Sequence, residues 1–161
     1  MSRVYTKIGD VFVIRIGRTH KRYFQYVARD TTQLSSDVVR VFKRKYLTGD
    51  KPDLQCVVRD DVDFHAHVIV SFGVKAKFWK KEGSTSIPRK VQVRFRSSKD
   101  SGNPDVKISS KWEVWTVNQT PRYVGRLANK YQDTELGLVV TPEDIVDRIR
   151  TGKYKFVYPG Y

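Results

Sequence analysis

Val11-Phe12-Val13-Ile14-Arg15-Ile16, then Gly17-Arg18-Thr19-His20, then Tyr23-Phe24-Gln25-Tyr26-Val27-Ala28-Arg29 is the stretch that decides the fold. β-Branched and aromatic residues fill both runs, and a Gly-containing break parts them. That pattern predicts two antiparallel strands joined as a hairpin. Gly9-Asp10 supplies a turn signal before the first strand.

The same grammar continues downstream. Val38 to Arg44 is a third β-rich run, interrupted by Arg40 and Lys43. Thr48 to Asp53 is a polar turn. Val62 to Phe72 is the longest strand candidate, and Lys75 to Trp79 is a further short one. A Ser/Thr/Gly-rich loop follows from Glu82 to Pro88. In Val91-Gln92-Val93-Arg94-Phe95-Arg96 the alternation is strict, which turns Val91, Val93 and Phe95 to the core. Ser97 to Pro104 is a second loop. Trp112 to Val117 is another strand, and residues 122–132 suit either a strand or a short helix.

One helix has clear ends. Thr141 is placed to cap it, Pro142 occupies its first position, and Asp144 completes a capping pattern. Ile145, Val146 and Ile149 form its apolar stripe, Arg148 and Arg150 lie in its last turn, and Gly152 stops it. Tyr154 to Tyr158 is a last strand, ended by Pro159-Gly160. The sum is one α+β domain spanning 1–161. It is mostly antiparallel, with a strongly bent sheet or partly open barrel and the C-terminal helix packed on it.

Charge restricts function. The 161 residues hold 31 Lys+Arg against 17 Asp+Glu, a net charge of +14. Between Lys75 and Lys99 nine basic residues face one acid, Glu82. A solvated positive face is the plainer account of such a run taken alone. Added to the whole-chain excess, it selects an anionic partner, either nucleic acid or acidic protein. Lys77, Trp79, Lys80, Arg94 and Arg96 are the expected contacts, cations for charge and an aromatic for packing.

Reaction chemistry is not spelled out. His65 and His67 lie two apart on one strand face with Asp63, a set that could hold a divalent metal. A hydrogen-bonded pair is the plainer account, and no metal or other cofactor is expected. The serines lie in no nucleophile elbow, and no phosphate-binding glycine motif occurs. Cys56, the only cysteine, excludes an internal disulfide and is expected to be a buried thiol. No secretory signal or apolar span is seen, so a cytoplasmic protein without membrane contact is expected.

Lys7-Ile8-Gly9-Asp10-Val11-Phe12-Val13-Ile14 resembles the start of the immunity protein 26 family of bacterial polymorphic-toxin systems, and Tyr23 to Val27 resembles its aromatic second strand. Pro142, Asp144, Ile145, Val146 and then Tyr154 to Tyr161 look like the ends of uncharacterised bacterial proteins. The first resemblance implies a non-enzymatic inhibitor that occludes a cognate toxin by surface complementarity. The alternative is a sequence-nonspecific nucleic-acid-binding module that uses residues 75–99.

Overall fold

The computed structural model describes residues 3–87 and 92–161. The expected hairpin forms from β1 (Asp10–Ile16) and β2 (His20–Asp30), in a register that sets Phe12 opposite Phe24. Those two rings stack with centroids 5.0 Å apart. β3 (Ser36–Phe42) pairs with β2, and β4 (Tyr46–Leu47) joins β2 further along. After the short helix α1 (Leu54–Val57), β5 (Val62–Val68) pairs antiparallel with β3.

Here the chain departs from the expected pattern. Residues 62–72 do not form one strand: β5 stops at Val68, and α2 (Val70–Lys75) takes over. Lys75 to Trp79 is the end of α2 and its exit turn, and the strand lies one step later as β6 (Lys80–Ser84). Residues 62–72 are apolar enough for either state, and a short apolar run carries no period that separates them. Asp37, buried on β3, selects the helix by accepting the Val70 N–H at 3.0 Å.

The second half builds a smaller sheet. Its strands are β7 (Arg94–Ser98), β8 (Trp112–Thr116), β9 (Arg122–Gly125) and β10 (Glu135–Leu136). The order is β10-β7-β8-β9, with β10 parallel to β7 and the rest antiparallel. The ambiguous segment 122–132 is both things, a strand and then a 3₁₀ turn at Asn129–Tyr131. β11 (Val139–Val140) returns to the first sheet beside β5, completing the path β11-β5-β3-β2-β1-β6. The α+β class and antiparallel dominance are as expected, but the strands form two sheets and do not close into a barrel. Of the expected strand 91–96, Val91 lies outside the described residues. Val93 and Phe95 are buried as the alternation required.

α3 (Pro142–Thr151) has the expected ends. Thr141 Oγ1 accepts from Asp144 N at 3.1 Å, Asp144 Oδ2 accepts from Thr141 N at 2.9 Å, and Gly152 adopts φ +84°. Ile145 and Ile149 pack into the core formed by Phe12, Phe24, Val41 and Phe64. The opposite face of the first sheet is covered too, by α1 through Val57 against Val11, Tyr23 and Phe42. Burial on both faces explains why Val11 to Ile14 is continuously apolar and does not alternate. Tyr154 to Tyr158 is not a strand: Tyr154 and Phe156 stack on each other at 4.8 Å, and the tail ends in one bridge between Ile108 and Gly160. Cys56 sits exposed on α1, not buried as expected, because Val57 is the residue of that short helix turned inward. Among the described residues, no helix is long and apolar enough to cross a membrane.

Candidate binding groove

An open hollow of about 490 Å³ lies where β1, β2, α2 and β6 meet. Its walls carry five cations, Arg15, Lys21, Lys77, Lys80 and Lys81, and a single acid, Glu82. Val13, Val74, Phe78 and Trp79 supply its apolar floor. Two of the cations are already engaged. Lys81 pairs with buried Asp10 at 3.0 Å, and Lys21 donates to the backbone carbonyls of Thr48 and Asp50. Burial opposes the charge on Asp10, but hydrogen bonds from Lys7 and the Lys81 ammonium outweigh it and hold its carboxyl below the usual range. Among the described residues, Arg15, Lys77 and Lys80 make no ion pair or hydrogen bond from their side chains.

Local geometry sets Lys77 where it is. α2 ends in a Schellman turn: Phe78 N–H donates to Gly73 O at 2.8 Å, and Lys77 N–H donates to Val74 O at 3.1 Å. The residue between helix end and turn must then be left-handed, and Lys77 adopts φ +62°. Trp79 locks the turn. Its Nε1 donates to Val70 O at 2.9 Å, its ring meets Phe24 edge-on at 5.0 Å, and it rests directly on Gly73. A Cβ on Gly73 would come within 2.0 Å of the indole.

The structure therefore brings together Lys77, Trp79 and Lys80 of the expected contacts, and leaves Arg94 and Arg96 apart on the second sheet. Trp79 is only 4% exposed and acts as a scaffold under the groove, with no open ring face to offer. Arg96 is half-buried, donates to Gln132 O at 3.1 Å and lies over the rings of Trp112 and Tyr161. It holds β7 to the tail. Arg94 is exposed and borders a separate polar hollow with Asp63, His65 and Glu135. Of the other cations in the basic run, Arg89 and Lys90 lie outside the described residues.

Sequence reasoning missed Arg15 and Lys21. Both were legible as basic residues breaking the apolar hairpin strands. Nothing local said that β6 would fold back beside β1 and put them opposite Lys80.

Among the described residues, no third ligand joins the histidine pair. Asp63, its expected third member, is held by Arg22 at 2.7 Å. His67 is wholly buried and bonds Asp30 Oδ2 through Nε2 at 2.9 Å, while Trp115 Nε1 donates to the same oxygen at 3.3 Å. Burial keeps His67 neutral by lowering its pKa, which the Asp30 carboxylate only partly offsets. Asp30 itself stays ionised, because hydrogen bonds from His67, Gln33 and Trp115 outweigh its burial. His65 is pushed down to about 4 by burial and then by the Arg40 charge. Among the described residues no three His, Cys, Asp or Glu side chains converge as a metal would require.

Comparison with protein-family models, curated proteins and solved structures returned no match.

Proposed function

We propose that this chain is a non-enzymatic cytoplasmic binding protein that takes an acidic partner protein in the groove between β1, α2 and β6. The observation that carries this is the set of three uncommitted cations, Arg15, Lys77 and Lys80, around one hollow with an apolar floor. The net charge of +14 would steer a negative partner to the face, and fixed contacts in the groove would hold it. The resemblance of Lys7 to Ile14 to the immunity protein 26 family makes a bacterial toxin the partner to test first, occluded by surface complementarity.

The nucleic-acid alternative draws on the same charge but finds less support in the groove. Base stacking needs an exposed ring face. Trp79 is buried there, and Phe78 is packed against the core.

The test is titration calorimetry against each toxin candidate encoded beside the gene, using wild-type protein and the Lys77→Glu/Lys80→Glu double variant. One candidate should bind the wild type, and the double charge reversal should weaken it at least about a hundredfold, as for truncated interface charge pairs. Failure of every candidate, with duplex DNA binding instead that persists at physiological salt and falls steeply above it, would establish the alternative.

A further inference from the structure

The exit turn of α2 holds a lysine at a backbone position that favours glycine. In the left-handed region where Lys77 sits, glycine is the residue of least strain, and a lysine there is a net cost to the folded state. Its side chain is exposed and, among the described residues, makes no hydrogen bond or ion pair. It also stands on the shared rim of two hollows, the basic groove and a neighbour of about 360 Å³, together with Arg15 and Phe78. A backbone strained to hold a charge at a rim points to a ligand for that charge.

We propose that Arg15, Lys77 and Lys80 form a carboxylate-binding site, with Lys77 its anchor, and that its ligand is a run of Asp or Glu side chains on an acidic protein segment. This rests on the reading of the groove as a protein-binding surface. Three observations favour carboxylates over the phosphates of nucleic acid. Among the described residues, the groove's aromatics are Trp79, which is buried, and Phe78, which is half-buried and packed against the core, so neither stands free for a base to stack on. The adjoining hollow beyond Lys77 is of mixed sign, with Glu143 and Asp147 beside Arg150, so the mainly positive surface is confined to the groove and suits a short acidic segment better than a long phosphate backbone. The apolar floor of Val13 and Val74 suits the methylenes of Glu side chains.

The experiment combines thermal melts with fluorescence anisotropy, at physiological salt, using a labelled oligo-glutamate peptide and a labelled DNA duplex as probes. Lys77→Gly should raise the melting midpoint by about 2–4 °C, because strain is relieved. The same change should weaken peptide binding about tenfold, the effect of losing one charge-assisted contact. Lys77→Arg should keep the affinity, and Lys107→Ala, on the loop before β8, should leave it unchanged. A lowered midpoint for Lys77→Gly would show that the lysine serves the fold, and would overturn the proposal. Unchanged peptide affinity in Lys77→Gly, with losses in Arg15→Ala and Lys80→Ala, would remove Lys77 as anchor while leaving the groove standing. Equal losses in Lys107→Ala would reduce the attraction to net charge. Wild-type protein that binds the duplex and not the peptide would overturn both the carboxylate site and the reading beneath it.

Discussion

At the residue scale, most buried polar groups are paired, and the exceptions among the described residues are His67 Nδ1 and Arg96 Nε. Asp10, Asp30 and Asp37 are buried and accept at both carboxylate oxygens, and buried Arg22 ties Phe42 O to Asp63, so these charges cross-link elements. His65 is the group whose titration should be visible in stability. Its folded pKa of about 4 lies below the unfolded value near 6.5. Above pH 6.5 it is neutral in both states and contributes nothing. As pH falls from 6.5 toward 4 only the unfolded chain takes up its proton, so stability drops. The loss should be on the order of 2 kcal/mol, and His65→Gln should flatten it. Urea midpoints measured across that pH window check this; identical slopes for wild type and variant would assign the acid sensitivity elsewhere. His67 should add a loss of the same sign, since burial lowers its pKa as well.

At the scale of elements, α2 and its exit turn decide the groove, and Gly73 is the hinge of both. Its missing side chain lets the Trp79 indole lie on the helix, and the turn that presents Lys77 follows from that contact. Gly73→Ala should displace the indole and cost about 1–3 kcal/mol, the usual range for overpacking a filled core. Near-ultraviolet circular dichroism and a melt would read it; an unchanged tryptophan signal at unchanged stability would mean that Trp79 does not set the turn. β6 beside it is a bulged edge strand carrying Lys80 and Lys81. Lysines and a bulge are devices that keep an open edge from pairing with other chains. Lys80 can therefore guard the edge as well as face the groove.

At the scale of the whole molecule, the two sheets are joined through Val27 and Val38 of the first against Phe95 and Trp115 of the second. The Asp30 carboxylate sits at this junction, receiving His67 from one sheet and Trp115 from the other. Asp30→Ala would leave both partners buried without an acceptor. It should cost about 3 kcal/mol in urea unfolding, at the level of a broken buried pair. A loss within experimental error would show that apolar packing alone holds the sheets together. The surplus positive charge also acts at this scale. Association with an acidic partner should slow steeply as salt rises, while dissociation changes little, and stopped-flow measurements would separate the two.

Some of this was written locally in the chain. The β1–β2 hairpin, the inward turn of Phe95 and both ends of α3 are carried by neighbours a few residues apart: a glycine break, an alternation of two, a Thr141–Asp144 box. Such signals survive without the rest of the molecule because the interactions behind them close over a turn or a pleat. Other outcomes needed the assembled fold. Val70 to Lys75 became helix because Asp37, 33 residues earlier, receives its first N–H. Trp79, expected as a contact, went to the core because Phe24 and Gly73 shape a place for it. The basic run from Lys75 to Lys99 divided between the groove and the second sheet, so Arg94 and Arg96 do not act together with Lys77 and Lys80. The groove's own cations come from the β1–β2 hairpin and from the segment running from α2 into β6, far apart in sequence, and long-range pairing, not local pattern, chose which of them meet.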